Sequence, residues 1–379
     1  MKIAVLTTGR QDWGILTSTC ERLRADQRFD LQLLVGGMHL SEAHGSTVDD
    51  IVAAGFEIEA RMPWLDGGAS ASVQMGRAIA LLGERFERHR PDALLLVGDR
   101  FETAAAALSA AVAGIPVIHL HGGEETAGAF DDALRHAVTK LSHLHLVSHE
   151  QHRARVIAMG EDPGAVFVVG APGLDQLHRP DLPDRGALES FLGLELQPPV
   201  VVVTVHPETL ATESAAAGEA VCAAMDEVDA TYVITLPNVD PGHEKLRASM
   251  TRAGDGPRRV AVEALGAARY AGLLGLADAA LGNSSSALIE APAVGLPAVN
   301  VGDRQKGRVR GANVIDVASD VEAVAQALRT ALSPEFRAKV ASQPGPFGDG
   351  RASEQIVDIL ANWKPPNPPR KPPILIPFD

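Results

Sequence analysis

Short apolar runs alternate along the chain with longer alanine- and leucine-rich stretches of amphipathic spacing. Runs of this kind predict strands buried on both faces, and the stretches between them predict covering helices. In the first half the predicted strands are Lys2–Thr7, Leu31–Gly36, Ala93–Val97, Pro116–Leu120, Leu144–Val147 and Val166–Val169. In the second half they are Val200–Val205, Tyr232–Leu236, Val260–Val262, Ala279–Leu281 and Ala298–Val301. This α/β rhythm runs twice, which predicts two doubly wound parallel sheets.

A proline-rich stretch between the two series of strands predicts the domain boundary. Gly173–Pro199 carries four prolines among charged residues, as linkers do. We expect an N-terminal Rossmann-like domain over residues 1–175 and a C-terminal one over 176–349, with the C-terminal helix and tail at 350–379 joining the first. The proline-rich end, Lys364–Asp379, is expected either to pack as an extended arm or to be disordered.

The composition describes a globular protein and argues against several classes of partner. The chain has 379 residues, is 46% hydrophobic and has a mean hydropathy of +0.04, and its length favours two domains. A formal net charge of -14 and an aromatic content of 4% argue against nucleic acid. No apolar run reaches spanning length, and Arg10 and Asp12 come too early for a signal peptide. We expect a cytoplasmic protein without nucleic-acid or membrane partners.

Cysteine, histidine and glycine spacing gives no sign of a metal or cofactor site. Cys20 and Cys222 lie far apart and are expected to be reduced thiols. The histidines lack the spacing of a zinc site. No G-x-G-x-x-G follows the first strand and no P-loop pattern occurs, which argues against nicotinamide and P-loop enzymes. We expect neither a metal nor a cofactor.

Polar residues collect where the predicted strands of the first domain end, which is where open α/β sheets bind their ligands. Arg10 and Asp12 follow the first strand, and Asp99 and Arg100 follow Ala93–Val97. Asp99 is equally well explained as the N-cap of the next helix or as a functional carboxylate.

The turn that begins with His121 and ends with Glu124 follows the next strand. Its two glycines would let a ligand approach the backbone, and its His121 and Glu124 could transfer protons. Taken alone, it is better explained as a tight turn with exposed acids. Asp131 and Asp132 begin the following helix, where acids favour the helix dipole for structural reasons.

A serine-rich turn in the second half gives the sharpest sign of a ligand. Ser284, Ser285 and Ser286 follow an apolar strand and open a helix, whose free N–H groups and dipole suit a phosphate. Ordinary N-capping explains most such turns. Here, however, Glu290 lies along the same helix. Basic residues follow: Arg304, Lys306, Arg308 and Arg310. Because arginine and lysine bind phosphate, an anionic ligand with hydroxyls, such as a sugar nucleotide, is the simplest hypothesis.

Together these motifs resemble the hydrolysing UDP-N-acetylglucosamine 2-epimerases that begin sialic acid synthesis. The similarity runs in collinear order over roughly residues 1–360 and is specific as a set. It rests on Gly-Arg-Gln-Asp-Trp-Gly (9–14), Gly-Met-His-Leu-Ser (37–41), Gly-Asp-Arg-Phe-Glu (98–102), His-Gly-Gly-Glu (121–124), the segment 135–145, His-Pro-Glu-Thr (206–209), Gly-Asn-Ser-Ser-Ser (282–286) and Gly-Asp-Arg-Gln-Lys-Gly-Arg (302–308). The resemblance implies a GT-B fold with an interdomain cleft that binds UDP. We also expect a homodimer, which is common in the family, or a higher homo-oligomer.

The family's reaction makes chemical sense of the acids at the strand ends. A base removes the proton at C-2 of the sugar while UDP leaves from C-1, which gives a glycal. Water then adds to the glycal, yielding free N-acetylmannosamine and UDP. The first step needs a carboxylate base and stabilisation of the departing pyrophosphate. UDP is already a good leaving group, so the family needs no metal.

The resemblance carries residue roles onto this sequence. Asp99 matches a catalytic carboxylate, Asp131 another acidic position at the sugar, and His206 the histidine near the leaving diphosphate. The expected substrate- and UDP-binding residues are Arg10, Asp12, Arg100, Asn238, Ser284, Ser285, Ser286, Glu290 and Arg304. Some members have a glutamate directly before the two glycines. Here that position is His121, so either His121 or Glu124 takes the acid–base role.

Other functions stay open from sequence alone. Close relatives act on UDP-2,4-diacetamido-2,4,6-trideoxyglucose, toward legionaminic-type sugars. That substrate shares the UDP and 2-acetamido groups and differs at C-4 and C-6, whose contacts the sequence does not reveal. A non-hydrolysing epimerase would keep UDP on the sugar, a GT-B glycosyltransferase would need an acceptor, and a binding module would not turn over.

Overall fold

The computed structural model describes residues 1–41, 47–66, 68–125, 131–206, 216–237, 243–263 and 265–371. The chain divides into two compact units, the first formed by Met1–Gly173 with Arg351–Asp379 and the second by Leu174–Gly350. No helix in the described ranges is long and apolar enough to cross a membrane.

The first unit is a parallel sheet covered by helices. Its strands are β1 (Lys2–Thr7), β2 (Asp30–Gly36), β3 (Ala60–Met62), β4 (Ala93–Val97), β5 (Val117–Leu120), β6 (Leu144–Val147) and β7 (Val166–Val168). Its helices are α1 (Arg10–Ala25), α2 (Val48–Ala53), α3 (Ala71–Arg88), α4 (Phe101–Val112), α5 (Asp131–Leu141) and α6 (Glu150–Ala158). Side chains of β1 alternate between two buried clusters, with Ile3 on one face and Ala4 on the other. This is why the four residues between Lys2 and Thr7 are all apolar.

The second unit repeats this architecture. Its strands are β8 (Val200–Thr204), β9 (Thr231–Thr235), β10 (Arg259–Val262), β11 (Ala279–Gly282), β12 (Ala298–Val301) and β13 (Val314–Val317). Its helices are α7 (Arg185–Leu192), α8 (Ala216–Glu227), α9 (His243–Ala253), α10 (Ala267–Leu276), α11 (Ser286–Ala293), α12 (Val321–Leu332) and α13 (Pro334–Ala341). The last helix, α14 (Ala352–Asn362), belongs to the first unit and packs on α1, where Arg22 Nε donates to Ser353 Oγ at 2.9 Å.

The strand order of each sheet reverses at one position, and such a switch point is where open α/β sheets bind ligands. The orders are β3-β2-β1-β4-β5-β6-β7 and β10-β9-β8-β11-β12-β13. In the first sheet, Ile3 of β1 pairs with Leu31 on one side and with Ala93 on the other. The loops that leave β1 and β4 therefore share one edge, as do those that leave β8 and β11.

The predicted class of two doubly wound parallel sheets is confirmed, but two edge strands were missed. Strand β3 has only three residues and exposes Arg61, and β13 exposes Asp316. Both pair on one side only, so neither needs the unbroken apolar sequence of a central strand.

The described part of the C-terminal tail is anchored at a buried acid. Glu161, which is 3% exposed, contacts three basic side chains: Lys140 Nζ at 2.6 Å, His145 Nε2 at 3.0 Å and Lys371 Nζ at 2.6 Å. Lys371 also donates to the carbonyl oxygens of Thr139 and Lys140 at the end of α5, at 3.3 and 2.8 Å. Lys371 thereby ties the end of the described tail to the end of α5.

Removal of this acid is expected to destabilise the first unit. Glu161→Ala should lower the free energy of unfolding by about 3 kcal/mol at pH 7, because it removes the counter-charge of two partly exposed lysines and the hydrogen-bond partner of the buried His145. Burial raises the pKa of Glu161, but its hydrogen bonds to the basic side chains outweigh this and hold it at about 2. Such a depressed pKa gives stability that is present at neutral pH and is lost as pH falls from about 4.5 toward 2.

Urea unfolding between pH 7 and pH 3 measures this effect. The difference between wild type and Glu161→Ala should shrink as pH falls, whereas Glu57→Ala, at an exposed position in the same unit, should match wild type throughout. A Glu161→Ala protein as stable as wild type at pH 7 would contradict the anchoring role.

Candidate active site

Asp99 lies just beyond the carboxyl end of β4 and is joined to α5. Helix α4 begins at Phe101 with Arg100 as its N-cap, so Asp99 does not occupy the capping position. Its carboxylate instead pairs with Nη2 of Arg135, a side chain that is almost fully buried. An ion pair so little exposed to solvent is weakly screened by salt. The structure therefore favours a carboxylate held by a second element over a simple helix cap.

Asp131 and Arg135 lie one turn apart on α5, which places both beside Asp99. Burial raises the pKa of Asp131, and the negative charge of Asp99 raises it further. Two neighbouring carboxyl groups in different environments, one of them paired with a buried guanidinium, form an arrangement that acid–base chemistry uses.

The turn after β5 has an unusual backbone. His121 has a φ of 62°, in the left-handed region that non-glycine residues rarely adopt. Gly123 has a φ of 76°, and a Cβ on it would come within 2.5 Å of the carbonyl oxygen of His152 in α6. The turn therefore packs directly on α6 at Gly123. Two residues earlier, His121 has a strained backbone of the kind that clusters at functional sites.

Glu124 is the centre of a hydrogen-bond network in this turn. Its Oε1 lies 2.5 Å from His121 Nδ1 and accepts from Ser148 Oγ at 2.7 Å, while its Oε2 lies 3.9 Å from Arg135 Nη1. Ser148 Oγ also lies 3.0 Å from His152 Nδ1. Burial alone would raise the pKa of Glu124, but the charge of His121 and the hydrogen bonds hold it well below its usual range. His121 and Glu124 are thus linked through Arg135 to the carboxylates on β4 and α5.

Three further predicted residues lie at the ends of β1 and β4. Arg10 is exposed in the first turn of α1. Asp12 is buried, its Oδ2 accepts from the backbone N–H and hydroxyl of Thr8, and burial raises the pKa of Asp12. Arg100 Nη2 lies 2.8 Å from Glu102 Oε1. Arg10 and Arg100 thus supply cations at this edge, whereas Asp12 is bonded within its own turn.

In the second unit, the glycine that begins the serine turn lies directly against the backbone of β8. Gly282 has a φ of 137°, and a Cβ on it would come within 2.0 Å of a β8 carbonyl oxygen, so only glycine fits. Asn283 is fully buried, accepts from the His206 N–H at 2.7 Å and donates to the His206 carbonyl at 2.9 Å. The backbone carbonyl of Asn283 accepts hydrogen bonds from Arg304 Nη1 at 3.2 Å and from Gln305 Nε2 at 2.8 Å. Asn283 therefore ties the histidine and the basic loop to the serine turn.

The serines themselves do not cap the helix in the ordinary way. Helix α11 begins at Ser286, and Ser285 is its N-cap but makes no capping hydrogen bond. Ser284 Oγ accepts from the Ser286 N–H at 3.4 Å, and Ser286 Oγ lies 2.6 Å from the hydroxyl of Tyr270. The Ser285 hydroxyl is therefore not used to cap α11.

On α11, the carboxylate of Glu290 is placed to accept hydrogen bonds from a ligand. Its Oε2 is buried and has no hydrogen-bond partner among the described residues. Burial raises the pKa of Glu290, although a hydrogen bond from the Ser286 side chain acts in the opposite direction. Because a buried polar atom without a partner is costly, hydroxyl groups of a ligand are its natural partners.

The basic cluster predicted after the serine turn is partly neutralised within its own loop. Lys306 Nζ lies 3.6 Å from Asp303, and Arg310 pairs with Asp316. Arg304 is the cation that the structure brings to the turn itself.

Some predicted features fall beyond the structural description. Asn238, expected to contact the nucleotide, lies outside the described residues, as do residues 207–209 of the histidine motif. Within the ranges that are described, no group of three or more His, Cys, Asp or Glu is placed to hold a metal ion.

Sequence reasoning missed several residues that the structure brings to these clusters. They are Arg135, Ser148, His152, Tyr270 and Asn283. Arg135 had a usable signal, since it follows Asp131 at the four-residue spacing that places two side chains on one helix face. The others depend on tertiary contacts that no local pattern encodes.

Comparison with known proteins gives the family. The family model for UDP-N-acetylglucosamine 2-epimerase matches residues 21–361. The UDP-N,N'-diacetylbacillosamine 2-epimerase (hydrolyzing) of Legionella pneumophila is 36% identical over 365 residues, which cover 95% of each chain. The chain belongs to the UDP-N-acetylglucosamine 2-epimerase family. The GDP/UDP-N,N'-diacetylbacillosamine 2-epimerase (hydrolyzing) of Campylobacter jejuni is 31% identical over 345 residues, covering 89% of this chain and 88% of its own. The predicted resemblance, and the expectation of an enzyme of this family, are confirmed.

Solved structures of this epimerase family share the fold. The UDP-GlcNAc 2-epimerase of Neisseria meningitidis, solved with UDP-GlcNAc, has a TM-score of 0.79 at 19% identity and covers 96% of this chain and 100% of its own. MurG of Acinetobacter baumannii has a TM-score of 0.58 at 14% identity and covers 96% and 99%. The predicted GT-B class, with two Rossmann-like parallel-sheet domains, is confirmed.

Proposed function

We propose that this chain is a hydrolysing 2-epimerase of UDP-2,4-diacetamido-2,4,6-trideoxyglucose, releasing UDP and the free 2-epimer. N,N'-Diacetylbacillosamine is the 2,4-diacetamido-2,4,6-trideoxy form of glucose. The Legionella and Campylobacter relatives named for it are 36% and 31% identical, against 27% for the UDP-N-acetylglucosamine 2-epimerase of Neisseria meningitidis. The polysialic acid biosynthesis protein P7 of Escherichia coli is also 31% identical, so the preference rests on the 36% of the Legionella relative. It favours the diacetamido sugar over UDP-N-acetylglucosamine, which the sequence placed first.

The second unit supplies the groups suited to UDP. The serine turn at the start of α11 offers N–H groups, and Arg304 adds a cation beside it. Glu290 presents the buried Oε2 to which two ribose hydroxyls can donate. His206, held by Asn283, is assigned to the diphosphate as it leaves.

The observation that carries the proposal is the acid–base cluster of the first unit, where Asp99, Arg135, Glu124 and His121 are connected. Asp99 is assigned to the removal of the C-2 proton, whose electron pair forms the C-1–C-2 double bond as the C-1–oxygen bond to UDP breaks. Water then supplies a hydroxyl to C-1 and, in net terms, a proton to C-2. C-2 is inverted only if the new proton arrives on the face opposite to the one that lost its proton, so a second acid–base group is required.

Turnover of the two UDP-sugars, each as sole substrate, tests the assignment. Without any acceptor, the protein should release UDP from the diacetamido sugar with kcat/KM at least about 10-fold higher than from UDP-N-acetylglucosamine. A reversed preference would overturn the substrate but keep the reaction class. Release of UDP only when an acceptor is added would indicate a glycosyltransferase instead.

The proposal also includes a homodimer and a reaction without metal, as the family resemblance implies, and a cytoplasmic location, as the sequence predicts. Light scattering should give twice the mass of the 39.8 kDa chain. Treatment with a chelator should leave the rate of UDP release unchanged, and loss of activity restored by a divalent cation would contradict the metal-free mechanism.

A further inference from the structure

His121 and Glu124 are arranged as a pair in which one residue orients the other. Oε1 of Glu124 is occupied by His121 Nδ1 at 2.5 Å and by the Ser148 hydroxyl at 2.7 Å. Its Oε2 faces Arg135, 3.9 Å from Nη1. With Oε1 hydrogen-bonded, Oε2 beside the Arg135 guanidinium and the pKa of Glu124 held well below its usual range, this carboxylate is a poor proton carrier at neutral pH.

The two ring nitrogens of His121 differ in their contacts, because Nδ1 lies against Glu124 and Nε2 does not. Because Glu124 is ionised and can only accept, its contact places the proton of Nδ1 between the two side chains and leaves Nε2 to exchange a proton elsewhere. Nε2 is buried and has no hydrogen-bond partner among the described residues. A buried ring nitrogen without a partner, in a turn whose backbone is strained at the same residue, indicates that the substrate supplies the partner.

We propose that His121 Nε2 is the acid that protonates C-2 of the glycal in the hydration step, and that Glu124 and Ser148 are positioning residues that act through it. This assignment rests on the proposed function. The Nε2–H bond breaks as the C-2–H bond forms, and the hydroxide part of water bonds to C-1. The proton that water loses restores the imidazolium, so one water is consumed and no other reactant is needed. Asp99 keeps the elimination step.

The glycal gives a direct readout, because loss of the second-step acid leaves the first step running. His121→Asn is the best variant, since asparagine tolerates a left-handed backbone and keeps a similar size. With the diacetamido UDP-sugar, it should still release UDP while glycal accumulates, and formation of free sugar should fall about 100-fold relative to wild type. NMR of the reaction mixture measures the ratio of glycal to free sugar.

Further variants separate positioning from general damage. Ser148→Ala should raise the share of glycal by a smaller factor, about 3- to 10-fold, and Ser148→Thr should restore it. His89→Asn, at an exposed position on the end of α3, should give the wild-type ratio. A merely structural role for Ser148 would change stability or total rate without changing the ratio.

Three outcomes would overturn the assignment. His121→Asn could abolish UDP release without glycal, which would place His121 in the elimination step. It could also give free sugar at the wild-type rate, or Asp131→Asn could accumulate the glycal in its place. Failure of wild type to release UDP would instead contradict the proposed function, and the two failures are therefore distinguishable.

Discussion

Asp99→Asn is expected to lower kcat for UDP release by about 1,000-fold, because an amide cannot accept the C-2 proton. The substitution keeps the size of the side chain and one oxygen for Arg135, so the network around α5 should persist. UDP affinity should stay within a factor of about 3 of wild type, since the groups assigned to UDP lie in the second unit. Steady-state turnover and calorimetric titration with UDP measure the two effects separately.

A matched control for this variant lies in the same sheet. Asp30 is exposed at the amino end of β2, away from the edge that carries Asp99, and Asp30→Asn should turn over at the wild-type rate. An Asp99→Asn protein that retains more than about a tenth of wild-type kcat would contradict the assignment of Asp99 as the base.

Glu290→Gln is expected to weaken UDP binding by about 10- to 100-fold, the range for loss of hydrogen bonds to a charged group. The amide keeps one acceptor oxygen, but its NH2 group cannot accept from a ribose hydroxyl. Uridine should lose as much affinity as UDP, whereas inorganic pyrophosphate should bind as before, because the contact is assigned to the ribose. Calorimetric titration with the three ligands measures this.

Lowering the pH should weaken uridine binding to wild type in the same way as Glu290→Gln does. Because burial raises the pKa of Glu290, its carboxylate is protonated at a higher pH than an exposed glutamate and then loses acceptor capacity. The affinity of wild type for uridine should fall as pH falls through that raised value, and the affinity of Glu290→Gln should not. Glu322→Gln, at an exposed position on α12, should follow wild type. Equal loss of uridine and pyrophosphate binding would contradict the ribose contact.

The sequence predicts all the central strands and two of the four edge strands, and it misses β3 and β13. Strand β4 is buried along its whole length, so its five residues must all be apolar and are visible in the sequence. Strand β13 is half-exposed and includes Asp316, so its pattern does not differ from that of a loop. Strand ends are equally visible, because the chain changes there from apolar to polar, and this is how Asp99, His121 and Glu124 were found.

Side-chain partners are the part that sequence does not encode. Asp99 was equally consistent with a helix cap until α5 placed Arg135 against it. Asn283 precedes three serines that drew attention as hydroxyls, yet its buried side-chain amide binds His206 after β8, and its backbone carbonyl binds the basic loop. Such contacts depend on the crossing of separate elements, over 77 residues between Asn283 and His206. Local spacing therefore gives candidates, and tertiary packing assigns them.

The most direct test of the central claim is the fate of C-2 and of UDP in a single reaction. The protein is incubated with the diacetamido UDP-sugar in deuterated water, and the products are followed by proton and phosphorus NMR. Elimination and rehydration predict free UDP together with free sugar of the inverted C-2 configuration that carries deuterium at C-2. An epimer still bound to UDP, or free sugar with hydrogen retained at C-2, would contradict the account.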